Sequence, residues 1–509
     1  MEHYDVIIIG TGSGGGTLAY KLAPSGKKIL ILERGDFIPR EKENWDTEEV
    51  FLKGRYKAKE NWTDKKGKSF QPGIHYCVGG NTKVYGAALL RMREEDFGEV
   101  KHHGGISPAW PISYQDLAAY YLEAEQLYAV HGERGSDPTE PADASPYPKP
   151  PLKHEPRIQQ LYDDMKELGL NPFPLPLGLR TDASNNTAPY VLDRFDGFPD
   201  PTERKADAHV VGINAALASP NVTLRTNCTV NRLATNESGT EIKQVNATLA
   251  DGTAVSFTGN IVVVSCGAIN SAALLLRSKS NQHPNGLANG SGVVGRHYMA
   301  HNNSALLAIS TKPNLTKFGK TFAVNDFYFG EEGFDYPMGH IQMLGKSDPV
   351  MYKEEAGFAP GFTLEYLAKH AIDFWMTSED LPDPENRVMI DSNGNIQLHY
   401  KENNLEGHKR LQKKLKWILE HVGCEKHLLP NNIYLGKKIP LAGTAHQCGT
   451  IRFGNDPKTS ALDTWCRSHE VSNLFVVDGS FFPSSSAVNP SLTINAMALR
   501  VGDYLLNEI

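Results

Sequence analysis

The chain is predicted to be an α/β protein with a dinucleotide-binding unit at its amino terminus, and three observations carry that prediction. A β-branched run, Asp5-Val-Ile-Ile-Ile-Gly10, leads straight into a loop whose Gly10, Gly12 and Gly15 fit G-x-G-x-x-G, followed by Leu18, Ala19 and Leu22 at helical spacing. A second apolar run, Ile29-Leu-Ile-Leu, ends on Glu33. At 509 residues the chain is longer than one ordinary core, so two or more units are expected.

Each of these elements has a chemical reason. Glycines let the chain turn tightly and approach a pyrophosphate with no intervening Cβ, and the helix that follows presents its unpaired amino-terminal N–H groups to the phosphate. Ser13 and Gly14 complete that phosphate loop. Glu33 stands where a carboxylate accepts from ribose hydroxyls, with Arg34 beside it, and its charge opposes a 2′-phosphate. The fold class is therefore α/β, α+β overall, with a Rossmann-like unit.

Composition removes other classes. With 52 basic and 59 acidic side chains the net charge is −7, and the basic residues form no stripe, which argues against nucleic acid as partner. No apolar run reaches the length of a membrane helix. Of the six cysteines even the nearest pair, Cys448 and Cys466, is too widely spaced for a metal or iron–sulfur motif, so no metal is expected and the thiols read as small buried apolar groups. Val6 to Ile9 begins too soon for a secretory signal to precede it, which points to a cytoplasmic protein. Oligomeric state is not legible.

Two further segments carry chemistry. Tyr76 to Phe97 contains Gly79-Gly80-Asn81-Thr82 and then Tyr85-Gly86-Ala87, glycines beside small hydrogen-bonding residues that suit a second polar ligand surface. Near the carboxyl terminus lie His446-Gln447-Cys-Gly-Thr450, Asp478-Gly479 and Val-Asn489-Pro-Ser491-Leu492. Together these segments resemble the glucose–methanol–choline (GMC) oxidoreductase family.

The resemblance implies an FAD-binding domain (1–100, 205–300 and 440–509) interleaved with a substrate-binding domain (101–204 and 301–439) built on an antiparallel sheet with helices. No single cut should then release a folding half. Gly10, Gly12, Ser13, Gly14, Gly15, Glu33 and Arg34 would hold the ADP half of FAD. Gly79 to Thr82 and Tyr85 to Ala87 would approach the flavin. The run Val222 to Val230 resembles the strand that meets adenine, making Val230 a contact, and Ile261 to Leu276 resembles a further signature that includes Cys266 and Gly267. Asp478 and Gly479 would meet the ribityl and phosphate region, and Ser491 and Leu492 would open a helix facing the flavin.

His446 and Asn489 would be the catalytic pair: imidazole accepts a proton near neutral pH, whereas an amide only orients and polarises the substrate oxygen. The implied reaction is oxidation of a CH–OH group with hydride transfer to flavin N5. The carboxyl-terminal wording lies nearer the sugar-active members, so a secondary hydroxyl of a sugar or glycoside is the expected substrate. Non-sugar alcohol oxidation and a flavin-bound hydroxynitrile lyase remain alternatives. Trp375 and Gln447 are candidate substrate contacts. Val84 stands near the place where some members attach FAD through histidine, so FAD should be non-covalent. Ala188 to Pro201 lacks the cysteine cluster of the multi-subunit sugar dehydrogenases, leaving O2 or a quinone as acceptor. Ser136 to Leu152 reads as a linker or surface excursion, Leu405 to Val422 as a surface helix with an apolar stripe, and His75, His102, His103 and His340 as solvent or core histidines.

Overall fold

The computed structural model describes residues 2–141, 144–180, 196–351, 361–424, 437–438 and 445–508. Residues 188–195 of the cysteine-free stretch lie outside them.

Strand β1 (His3–Ile9) runs parallel to β2 (Ile29–Leu32) on one side and to the long strand Ala254–Val264 on the other. Ile9 stands level with both Leu32 and Val264, so the carboxyl ends of the three strands open at one height. Val222–Arg225 extends the sheet beyond β2, and Leu474–Val476 pairs with the upper half of Ala254–Val264. The lower half of that strand turns instead into an antiparallel ribbon with Ile242–Leu249 and Cys228–Thr235. β1, β2 and the upper part of Ala254–Val264 are buried on both faces, which explains their unbroken Ile, Leu and Val rather than alternation. Helix α1 (Ser13–Leu22) packs between this sheet and the terminal helix Ser491–Glu508.

The second sheet is antiparallel and six-stranded, in the order Lys437–Lys438, Asn302–Ile309, Ala371–Ser378, His340–Met343, Phe322–Val324 and Phe173–Pro174. Its two faces differ. Ile341, Met343, Phe374 and Met376 point into an apolar cluster closed by Leu411, Leu415, Ile418 and Leu419 of the helix Leu405–His421, the stripe expected from the sequence, and by Ile158, Leu161 and Met165 of the helix Pro156–Glu167. The alternate residues His340, Gln342, Trp375 and Thr377 face the other way, toward the parallel sheet; Thr377 Oγ1 donates to the Ala487 carbonyl at 2.6 Å. A four-stranded sheet joins Trp62–Asp64 and Ser69–Phe70 to Arg387–Ile390 and Ile396–His399, and so takes strands from both sides of the expected domain division.

Two readings change. The run Val222 to Val230 is two strands, broken where Asn227 takes a left-handed conformation (φ 54°), after which Cys228 N bonds to Glu33 O at 2.9 Å. The described part of 136–152 is no linker but a surface excursion anchored in the interior by its acids. Asp137 is buried against Arg93 at 3.3 Å and accepts from Asn325 at 2.8 Å, Glu140 pairs with Arg134, and that guanidinium lies 3.7 Å over the Tyr147 ring. Acidic composition suggested exposure, but each acid answers a cation in the interior. Among the described residues no helix is long and apolar enough to cross a membrane.

Candidate active site

The strand ends create a crevice. A Cβ on Gly10 (φ 103°) would lie 2.2 Å from the Ser265 carbonyl and one on Gly14 1.8 Å from that of Val477, so backbone of three strands closes on the loop. Gly12 differs: a Cβ there would meet no protein atom within 4 Å, and Gly80 of the second loop lies beside it, 3.3 Å from its own Cβ position to Gly12 Cα. A cradle closed below and open above, at a helix amino terminus, fits a pyrophosphate. Gly15 completes the first turn of α1, whose Ser13 hydroxyl donates to Asn495 and to the Ser491 carbonyl.

Glu33 is buried. One carboxylate oxygen accepts from Thr11 N (3.2 Å) and Thr11 Oγ1 (2.6 Å), the other from Gly35 N (2.9 Å), and burial raises its pKa against these bonds. The second oxygen keeps accepting capacity for a ribose hydroxyl. Arg34 turns aside, its guanidinium 3.5 Å over the Tyr76 ring and paired with Glu60. Val230 sits where the ribbon register slips, between its partner Ala247 and Arg232.

In the second loop Thr82 Oγ1 donates to Gly79 O and accepts from Ala208 N, while Asn81 Oδ1 accepts from His75 N at 2.9 Å, so His75 is tied to the loop rather than a bystander. Tyr85 donates to the Ala206 carbonyl and Ala87 has a positive φ of 47°. Gly86 packs tightly beneath Asp196 and Lys320, which form an ion pair at 2.8 Å.

Asp478 works through its whole carboxylate: Gly267 N (3.0 Å) and Ser271 Oγ donate to one oxygen, Ser480 N (2.9 Å) and Oγ to the other. It clasps the ends of two strands, leaving backbone rather than side chain for a ligand. Cys266 donates from Sγ to Ile9 O, Gly479 abuts the Gln447 carbonyl, and Leu492 is wholly buried, so these too offer main chain. All six cysteines are free thiols, five of them buried.

The Gln447–Gly479 contact brings His446 to the crevice. Its Nε2 is 3.3 Å from Asn489 Nδ2 and its Nδ1 3.1 Å from His301 Nδ1, with the Trp375 ring centroid 6.3 Å away. Asn489 Oδ1 and Trp375 Nε1 are buried without a protein partner. His446 keeps part of its ring accessible yet lies deep; burial holds its pKa well below the usual imidazole value, and His301, Lys320 and His340 push the same way. His446 is thus a neutral imidazole at neutral pH. His301, Lys320 and Gln342 escaped sequence reasoning, because none lies in a glycine loop or beside the carboxyl-terminal signatures.

Family profiles described as GMC oxidoreductase match residues 4–303 and 382–498. This chain belongs to the GMC oxidoreductase family. Like other GMC oxidoreductases it is an FAD-dependent enzyme acting on CH–OH donors. It is similar to 6'''-hydroxyparomomycin C oxidase of Streptomyces lividus, 30% identical over 99% of this chain and 92% of that one. It is also similar to 2-methyl-1,2-propanediol dehydrogenase of Mycolicibacterium austroafricanum, 29% identical over 99% of this chain and 95% of that one. Its fold matches the formate oxidase of Aspergillus oryzae RIB40, solved as a variant affecting FAD modification, with a TM-score of 0.69, 14% identity, and coverage of 100% of this chain and 98% of that one.

Proposed function

We propose that this GMC oxidoreductase oxidises a hydroxyl-bearing carbon of a sugar or glycoside, with His446 as base and Asn489 as the amide that holds the substrate oxygen. The observation that carries the reading is the pairing of a neutral imidazole with a buried amide whose Oδ1 has no protein partner, across the crevice from a polar sheet face. Bound FAD supplies the hydride acceptor. The protein's own part is proton transfer and orientation. His446 Nε2 takes the hydroxyl proton, and the Asn489 N–H now on that nitrogen is free to turn to the substrate oxygen as charge develops there. Trp375, Gln342 and His340 lie on the facing sheet, an aromatic plane among polar groups that suits a sugar ring. The aminoglycoside oxidase among the relatives favours a carbohydrate, whereas the propanediol dehydrogenase favours a second reading, a small non-sugar alcohol.

The cradle would be formed by Gly10, Gly12, Ser13, Gly14, Gly15 and Glu33, by the loops Gly79–Thr82 and Tyr85–Ala87, and by main chain at Val230, Cys266, Gly267, Asp478, Gly479, Ser491 and Leu492. FAD would be non-covalent, as the Val84 position offers no nucleophile, and O2 or a quinone would accept the electrons. The FAD-binding domain would comprise 1–100, 205–300 and 440–509; every strand of the parallel sheet and its ribbon falls in those segments and every strand of the six-stranded sheet outside them.

The test is anaerobic mixing of holoenzyme with monosaccharides, glycosides and simple alcohols while following flavin absorbance. A sugar should bleach it, and His446→Ala should retain FAD while losing about 10²–10⁴-fold in rate. Wild-type-like reduction in that variant overturns the assignment, and cyanohydrin cleavage without bleaching would make the protein a lyase.

A further inference from the structure

His301 is buried and precedes the strand Asn302–Ile309 in a left-handed conformation (φ 56°) that a residue with a Cβ rarely adopts. Asp380 holds it there: one carboxylate oxygen accepts from His301 N at 2.9 Å, the other from Ala300 N at 2.9 Å and from Tyr400 OH at 2.8 Å. Backbone strain held so firmly aims a side chain, and this ring reaches two partners. Nε2 lies 3.2 Å from the Ser485 carbonyl, Nδ1 3.1 Å from His446 Nδ1, and the two rings stand at 82°.

A carbonyl oxygen only accepts, so His301 Nε2 carries the hydrogen. In a neutral ring Nδ1 is then a bare lone pair, and the His446 Nδ1 facing it must be the donor. That leaves the lone pair of His446 on Nε2, toward Asn489, whose amide must present Nδ2 and leave Oδ1 unpartnered, as observed. The opposite polarity would require a carbonyl to donate. Burial depresses the pKa of both imidazoles; for His301 it does so against the nearby Asp380 and Glu379, which keeps the chain of bonds neutral.

We infer that His301 is a positioning residue that fixes the tautomer of His446 and delivers its Nε2 lone pair to the substrate hydroxyl. The inference rests on His446 being the base, but its test does not depend on turnover. In ¹⁵N-histidine-labelled holoenzyme at neutral pH, the His446 signals, assigned by their loss in His446→Ala, should report a protonated Nδ1 and a bare Nε2. His301→Leu should move that proton to Nε2 and lower kcat by about 100-fold with KM and FAD content little changed. His301→Asn, whose Oδ1 can accept in place of the ring Nδ1, should restore the tautomer and most of the rate. A wild-type His446 protonated on Nε2, or a tautomer unmoved in His301→Leu, overturns the inference. If His301→Leu does not fold, the wild-type spectrum and His301→Asn decide it. Full activity in His446→Ala would refute the base instead, while the spectrum still judged His301.

Discussion

The crevice at the ends of the parallel strands and the polar face of the antiparallel sheet border the same candidate site, yet they are made of opposite materials. The crevice is main chain: Gly10 and Gly14 are pressed against the carbonyls of Ser265 and Val477, and even Asp478 is occupied in tying strand ends together. The facing sheet offers side chains, His340, Gln342, Trp375 and Thr377, from strands whose other face is ordinary apolar core. A surface of backbone tolerates almost no substitution. A surface of side chains can be rewritten at alternate positions without disturbing the cluster behind it, which is where substrate choice can diverge.

Gly14→Ala breaks the first surface outright. With a carbonyl 1.8 Å from the new Cβ the strand ends must part, and the variant should yield no soluble FAD-containing protein; recovery of wild-type melting would contradict the packing.

Acid should affect both regions. His75, His154, His297, His340 and His408 are each lowered by burial to about 4. Their folded pKa values lie below the usual 6.5, so the stability they contribute is present above that pH and is lost as pH falls toward 4. Burial raises Asp96 to about 7 and Asp373 to about 6, which works the other way, since their contribution is lost as pH rises. Five groups oppose two, and the melting temperature should fall from pH 7 to pH 5, with a loss on the order of a few kcal/mol. A level or rising melting temperature would show that the histidines are better solvated than their burial implies.

Gly12→Ala sharpens the contrast with Gly14. No protein atom opposes the added methyl, so the apoprotein should melt normally while FAD affinity drops by about tenfold or more, read by titration of flavin fluorescence. Unchanged affinity would remove the pyrophosphate from this loop. Trp375→Ala should have the smallest effect, raising KM for a sugar several-fold with FAD content and fold unchanged, as suits loss of a stacking plane worth about 1 kcal/mol; an equal loss for a small alcohol would favour the non-sugar reading.

The same contrast explains what could be read in advance. Glycine loops declare themselves because tight turns and close approach demand one residue type at fixed spacing, so Gly10 to Gly15, Gly79 and Gly80 were legible, as was the stripe of Leu411, Leu415, Ile418 and Leu419. His446 and Asn489 were found by resemblance, not by physics. His301 and Gln342 were invisible because an alternate residue on a buried strand, or one left-handed histidine, has no periodic signature. The break at Asn227 and the buried acids Asp137 and Glu140 were misread because turn conformation and ion-pair partners come from elsewhere in the chain.

The bond from Ser13 to Asn495 joins the first helix to the last. The loop and the helix that braces it come from positions 482 residues apart, so the glycine motif is local in the chain while its support is not. A fragment that lacks Ser491–Glu508 would keep the glycine motif and lose the partner that Ser13 bonds.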